Sequence, residues 1–458
     1  MQDETGADAM LRQDLLARAA VAVSDGAVDE AERCYQTLLA EQPEDADAWA
    51  NLAALRNMAG HHQEAEACAR RALAAGAEHW GALANLGTAL HGMARLNEAA
   101  LAYVASLQRN PGNVSAATNL GVVLAEQWRM PQSLAMHEHA LSLAPGEADV
   151  RFHRALALLA AGQLAEGFVE FEHRWGMSGM PPHGMAAPQW RGGPVDGLAV
   201  LLHDEGGFGD TLQFIRYAPL LAARGARVTA LVQPALVRLL RQSMGDCVTI
   251  LPRGATRPPH DLQCPMLSLP LAFGTIVETI PGQTPYLSAQ PAARAGWERR
   301  LTSLREDGVR LVGLVWAGAP RPGLTAFAAM DRRRSIPSEA LAPLSNAMGV
   351  RFISLQHHTA EPPPLPLIDH MEEMQDFADT AALVANLDLV ISVDTAMAHL
   401  AGGLGVPTWL MSRHDACWRW LAGREDSPWY PHMRVYRQAA PGSWDELLAR
   451  VVRDLGRG

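Results

Sequence analysis

Along the first 180 residues, apolar side chains recur at the three-and-four spacing of an amphipathic helix, and the whole pattern repeats every 34 residues. Pro111 and Pro145 stand one period apart, and Pro43 lies two periods before Pro111. Leu86-Gly87 and Leu120-Gly121 keep the same step, preceded by Leu52-Ala53. Ala31, Ala65 and Ala99 fall in phase where two helices close on each other, and Tyr35 and Tyr103 sit two periods apart in the second helix. Helix pairs are therefore predicted near 12–45, 46–79, 80–113, 114–147 and 148–181. No single pair buries its apolar face, so neighbours stack into a superhelix with a concave groove. The period then changes. Residues 176–197 are rich in Gly, Pro and Met without periodicity, the mark of a linker. Beyond them short apolar runs alternate with amphipathic segments. Strands are predicted at 198–202, 228–232, 309–315, 352–355, 389–393 and 408–410, and helices at 211–223, 235–242 and 292–306. This alternation predicts parallel, doubly wound sheets in two Rossmann-like halves with a cleft between them.

The repeat resembles the 34-residue tetratricopeptide repeat, which carries a tryptophan where Trp49 stands. Asn51, Asn85 and Asn119 are again 34 apart, one on the first helix of each pair. An amide offers both a donor and an acceptor, the complement of a peptide backbone. These three are the candidate peptide-binding ladder of the groove, with ordinary repeat composition as the alternative.

Composition narrows the chemistry. The 458 residues carry 38 basic side chains against 49 acidic ones, a net charge of −11, which argues against nucleic-acid binding. There is no lysine; every fixed cation is arginine. Schiff-base lysine chemistry and a lysine-dependent phosphate loop are excluded. An anionic ligand must be met by arginine, backbone N–H groups or a helix N-terminus. The five cysteines are scattered and form no CxxC, so neither a disulfide framework nor a zinc site is expected. No long apolar run and no leader pattern occurs, and the expectation is a cytoplasmic protein without a transmembrane segment.

Two stretches of the α/β part can carry chemistry. His203-Asp-Glu-Gly-Gly-Phe-Gly-Asp210-Thr211 joins a strand to a helix, where ligands of open α/β sheets bind. Gly207 and Gly209 permit close approach of a ligand. Asp210 is either the helix N-cap or a general base, with His203 or Glu205 next in line. The second stretch runs from Leu389 through Asp394 and Thr395 to His399 and opens a helix whose N-terminus can receive a phosphate. Asp394 is assigned to ribose or loop organisation, and His399 to a diphosphate's neighbourhood or to the core. Trp316, Arg334 in the run Arg332-Arg333-Arg334, and Gln356 are weaker candidates for the donor site. Trp418-Arg419-Trp420 and Pro428-Trp429-Tyr430 are expected as a core seam. No Asp-x-Asp occurs in the α/β part, and His61-His62 and His357-His358 have the wrong spacing for a helical metal site, so no metal and no cofactor is expected.

The segments at 207–221, 392–409 and 418–431 together resemble bacterial tetratricopeptide-repeat glycosyltransferases, whose catalytic part is similar to glycosyltransferase family nine, the ADP-heptose transferases. The combination with repeats also resembles flagellin glycosyltransferases. The resemblance implies a tetratricopeptide solenoid followed by a GT-B unit: repeats at 1–180, a linker at 181–197, an acceptor-side half at 198–300 and a nucleotide-sugar half at 301–458. It implies Asp210 as general base of an inverting, metal-independent transfer, and Asp394, Thr395 and His399 along the nucleotide diphosphate. It further implies a nucleotide-sugar donor and a protein acceptor held by the repeats. Where the family usually carries a lysine after the second half's first strand, this chain reads Trp316-Ala-Gly-Ala-Pro320. The alternatives are a scaffold that has lost turnover and a transferase for a lipid-linked or capsular glycan.

Overall fold

The computed structural model of the chain describes residues 2–177, 184–305, 308–319, 325–357, 361–415 and 417–457. Glu306, Pro320, His358 and 178–183 of the expected linker lie outside them. The chain divides into two compact units, Met1–Ala157 and Leu158–Gly458.

The first unit is a solenoid of paired helices: α1 (Gln2–Ser24) with α2 (Val28–Glu41), α3 (Ala46–Met58) with α4 (His62–Ala75), α5 (Trp80–Gly92) with α6 (Leu96–Arg109), and α7 (Val114–Glu126) with α8 (Met130–Leu143). α9 (Ala148–Ala160) and α10 (Leu164–Phe171) continue the period, and the division between the units falls inside α9. Asp45, His79 and Asn113 occupy the N-caps of α3, α5 and α7, each accepting from a backbone N–H three residues on. The turn inside each pair needs a left-handed residue, and Gly26, Gly60 and Gly162 supply it at φ of 75°, 78° and 81°. Ala94 and Trp128 hold the same phase at φ of 59° and 61°, against the ordinary steric preference of a residue with a side chain. Small residues on the first helix admit large ones from the second. A Cβ on Gly87 would sit 2.7 Å from the Tyr103 ring, and one on Gly121 2.6 Å from the His137 ring.

In the second unit β1 (Ala199–His203) leads to α11 (Phe208–Phe214) and α12 (Ala218–Ala222). Next come β2 (Arg227–Val232), α13 (Val237–Met244), β3 (Val248–Pro252), β4 (Leu262–Pro265) and α14 (Leu269–Ala272). After α15 (Pro291–Leu301) a second series begins with β5 (Arg310–Val315), α16 (Thr325–Arg334), β6 (Val350–Ser354) and β7 (Leu367–Asp369). It closes with α17 (Phe377–Val384), β8 (Leu389–Val393), α18 (Ala396–Gly403), β9 (Thr408–Ser412), β10 (Met433–Arg437) and α19 (Trp444–Leu455). Among the described residues these strands form two wholly parallel sheets, ordered β3-β2-β1-β4 and β10-β9-β8-β5-β6-β7. Both sheets reverse direction beside their first strand, between β1 and β4 and between β5 and β8. Such reversals open a crevice at the carboxyl ends of the strands. The strands β3, β4, β7 and β10 were not legible as apolar runs. Each lies at a sheet edge and carries a proline or a charged side chain: Pro252 in β3, Pro265 in β4, Asp369 in β7, and Arg434 and Arg437 in β10.

Two expectations change. The described part of the linker is not loose: Trp190 is buried, donates its backbone N–H to the Gln263 carbonyl at 2.7 Å, and pulls the segment onto β4. The helix expected at 211–223 is broken into α11, a 3-10 turn and α12, because Pro219 cannot continue an unbroken hydrogen-bond ladder. Among the described residues no helix is long and apolar enough to cross a membrane.

Candidate functional site

The glycine-rich turn after β1 is fixed from three sides. Gln233, at the end of β2, donates its amide to the Gly206 carbonyl at 3.2 Å and accepts from the Thr211 hydroxyl at 2.9 Å. Buried Glu205 is gripped by Arg174 at 2.7 Å and accepts from the Leu267 N–H at 3.1 Å. Burial pushes the Glu205 carboxyl above its ordinary range, and Arg174 pulls it back. Buried His203 makes a 2.9 Å contact with the Gln263 amide oxygen. Neither Glu205 nor His203 is therefore turned toward an open crevice, which removes both as substitutes for Asp210. Asp204 is likewise taken, by Arg253.

Asp210 is not the helix cap. Gly207 occupies that position, and Asp210 falls inside the first turn of α11. Its Oδ1 accepts from the Arg419 guanidinium at 2.5 Å. Its Oδ2 lies where a Cβ on Gly207 would approach to 2.4 Å, and accepts no hydrogen bond among the described residues. The side chain is 30% exposed. Gly207 thus serves the carboxylate: any side chain there would push it aside.

From the second sheet, β8 ends at Val393, and the turn Asp394-Thr395 opens α18 with Thr395 as N-cap. Neither Asp394 nor Thr395 caps the helix by its side chain; Thr395 Oγ1 lies 3.2 Å from Ser392 Oγ. The Asp394 carbonyl accepts from Arg334 at 3.2 Å. One turn on, His399 is buried, stacked on Trp420 with ring centres 5.2 Å apart, and its Nδ1 meets the Tyr430 hydroxyl at 2.8 Å. Burial first, then the charges of Arg419 and Arg216, hold its pKa well below the usual histidine range. His399 is therefore a neutral ring that can offer a hydrogen bond but no charge to a phosphate.

The two turns meet. A Cβ on Gly209 would lie 2.8 Å from the His399 ring and 3.6 Å from the Ala396 backbone. Arg419 stands against both motifs: burial opposes its charge, but the carboxylates of Asp210 and Asp394 and the sulfur of Cys417 raise its pKa above the ordinary value. The expected aromatic seam is present, with Trp418, Trp420, Trp429 and Tyr430 all buried. What sequence reasoning missed is the cation in its middle. An arginine between two large aromatic residues was the available signal. Since the His399 ring is held by Trp420 and Tyr430, it cannot move aside for a methyl group. Gly209→Ala is expected to cost about 1–3 kcal/mol, read as a shift of the denaturant midpoint; an unshifted midpoint would show that the two turns part freely.

The weaker candidates are repositioned. Trp316 is buried in the core of the second sheet among Val312, Leu314 and Leu341, so its ring does not face a ligand. Gln356 is spent on the loop after β5: its Oε1 accepts from the N–H groups of Trp316 and Ala317 at 3.1 and 3.0 Å, and its amide donates to the Ala317 carbonyl at 2.9 Å. The triple arginine ends α16 rather than forming a loop. Arg334 pairs with Asp331 within α16 at 2.7 Å, and Arg333 reaches Asp415 in the loop after β9 at 3.1 Å, so both charges are engaged within the protein. Among the described residues no group of three or more His, Cys, Asp or Glu side chains is arranged to hold a metal ion.

In the solenoid the three asparagines differ. Asn51 is exposed. Asn85 donates its amide to the Ala50 carbonyl at 2.8 Å and accepts at its own carbonyl from the Asn57 amide at 2.9 Å. Asn119 hydrogen-bonds the buried Tyr103 hydroxyl. The ladder expected to face a peptide is thus partly used to lock neighbouring helices. Asn85→Ala is expected to lower stability by about 1 kcal/mol, whereas Asn51→Ala should leave stability unchanged. Equal melting temperatures for wild type and Asn85→Ala would contradict the locking role.

Comparison with known proteins places the repeats. Residues 34–67 match the tetratricopeptide repeat family. Protein FlbA of Caulobacter vibrioides is 26% identical over 338 residues, covering 67% of this chain and 54% of that protein. The chain thus spans about half the length of the curated relative it matches. Among solved structures, the tetratricopeptide protein TTC0263 of Thermus thermophilus is 20% identical with a TM-score of 0.34, over 36% of this chain and 91% of that one. YrrB, described as a tetratricopeptide protein with an unusual peptide-binding site, is 18% identical with a TM-score of 0.30, over 36% of this chain and 84% of that one. The chain carries a tetratricopeptide repeat at residues 34–67 within a solenoid of paired helices, followed by an α/β region of parallel sheets.

Proposed function

We propose that this chain is an inverting glycosyltransferase that moves a sugar from a nucleotide-sugar donor to a hydroxyl of a protein or peptide bound by the repeats, with a GT-B arrangement of its two parallel sheets. The observation that supports this most is the meeting of the Asp210 turn and the Asp394–His399 turn, one from the switch region of each sheet, with Arg419 against both. Asp210 Oδ2 accepts the proton of the acceptor hydroxyl. The acceptor oxygen then bonds to the anomeric carbon from the face opposite the nucleotide, the bond to the phosphate oxygen breaks, and the nucleotide leaves with the electron pair. The N–H groups at the start of α18 and the neutral His399 ring meet the charge that develops there. Tetratricopeptide repeats bind peptides and proteins, which supports a protein acceptor over a glycan one.

The test is thermal unfolding with CMP, UDP, GDP and ADP and their sugars, followed by transfer assays with the stabilising donor. A ligand that binds only the folded state at a hundred times its Kd stabilises it by about 2.7 kcal/mol. One nucleotide series is expected to raise the melting temperature and to support transfer that persists in EDTA. No stabilisation and no transfer by any of them would leave the scaffold reading standing.

A further inference from the structure

We infer that Arg419 is the positioning residue that aims the Asp210 carboxylate; this rests on the transferase reading above. Its guanidinium has three partners at once. Nε donates to Gln213 Oε1 at 2.9 Å, Nη1 to Cys417 Sγ at 3.1 Å, and Nη2 to Asp210 Oδ1 at 2.5 Å. The donors of a guanidinium are locked in one plane, so two partners dictate where the third points. Gln213 lies three residues beyond Asp210, on the same face of α11, and is fully buried. Arg419 therefore grips the helix at two levels. The Trp418 ring, with its centre 4.4 Å from the guanidinium carbon, and Phe214, at 5.8 Å, restrict its tilt.

Asp210 has no second anchor among the described residues. Freed of Arg419, its short side chain would rotate about χ1, and Oδ2 would leave its place over Gly207. Other charged or titratable groups nearby do not replace it: Glu205 is held by Arg174, His399 bonds Tyr430, and Asp394 acts on Arg419 through its charge without holding Asp210. None of them can substitute for the clamp. Three of the five N–H groups of Arg419, one on each nitrogen, are spent on partners in the protein.

The test is Arg419→Lys, which keeps the charge but cannot serve three partners in one plane. The expected result in the full-length chain is a kcat about 10–100-fold lower, since misplacing a reacting group by about an ångström costs on that scale, with donor KM within about twofold. Because Arg419 acts through Asp210, the double variant Asp210→Asn/Arg419→Lys is expected to be no slower than Asp210→Asn alone. Multiplied losses in the double variant, or a raised donor KM, would overturn the inference and make Arg419 a donor-binding group. Should Arg419→Lys unfold, Gln213→Met carries the same test: it removes only the Nε acceptor, with a smaller kcat loss that is again absent in the Asp210→Asn background. Additive losses there overturn the inference equally. A wild-type chain without transfer from any nucleotide sugar overturns the transferase reading and this inference with it. An active wild type with additive variants overturns the inference alone.

Discussion

Asp210→Asn is expected to lower turnover by roughly 10²–10⁴-fold, the typical worth of a general base, while nucleotide affinity stays near wild type. The amide cannot take the acceptor's proton, but its oxygen can still receive the Arg419 N–H now held at 2.5 Å. Because Gly207 and not Asp210 caps α11, no cap is lost. The ion pair is partly exposed on the Asp210 side, so the stability cost stays on the order of 1 kcal/mol or less. Single-turnover transfer and melting temperature, measured on the same preparation, separate the outcomes. Full activity in Asp210→Asn would remove Asp210 as base, and with Glu205 and His203 both engaged in the interior it would remove the general-base mechanism from this turn altogether.

The second large effect is a pH dependence built into the solenoid. His137 is fully buried, its two ring nitrogens find no partner among the described residues, and the ring packs on Gly121. Burial first, then His153 and Arg154, lower its pKa from 6.5 to about 3. Half-buried His153 is lowered as well, chiefly by desolvation and further by His91, with Asp149 and Glu126 opposing. The folded-state pKa lies below the unfolded one, so the unfolded chain takes up a proton near pH 6.5 that the native state refuses until about pH 3. Stability is thus intact above pH 6.5 and is lost progressively as pH falls toward 3. At pH 5 this costs about 2 kcal/mol from His137 alone, at 1.36 kcal/mol per unit. Hydrogen-exchange protection of the α7 and α8 amides should fall accordingly between pH 7 and pH 5. His137→Phe places an apolar ring where the preceding repeat has Tyr103, and should remove the His137 share of that loss. An unchanged pH slope in His137→Phe would place the titration elsewhere.

The solenoid was nearly complete in the sequence because every contact that defines it is local. Helix boundaries follow caps such as Asp45, His79 and Asn113, and the turn glycines recur in phase with them, so a 34-residue window holds the whole structural unit. Interior strands were legible for a similar reason. A strand buried on both faces, such as β1 or β8, is mostly apolar, with His203 and Ser392 as its single polar positions, whereas β7 at a sheet edge carries the exposed Asp369.

The site was legible only as two separate turns. That Asp210 is a first-turn residue and not a cap depends on where α11 begins, three residues earlier at Gly207, whose missing side chain leaves room for the carboxylate. Local pattern cannot distinguish a tryptophan that lines a cleft from one that fills a core, so Trp316 went to the wrong side. Gln356 and Arg334 carry the right chemistry for a ligand, but backbone groups about 40 and 60 residues away had already claimed them. Arg419 shows the limit most sharply. Its meaning lies in a 2.5 Å contact with a residue 209 positions earlier. The sequence by itself determined the repeat, the parallel α/β alternation and the residue types that can do chemistry, because periodicity and composition act along the chain. Only the tertiary structure decided which of those groups face one another, because a hydrogen bond acts over about 3 Å while the chain that supplies its two ends can be of any length.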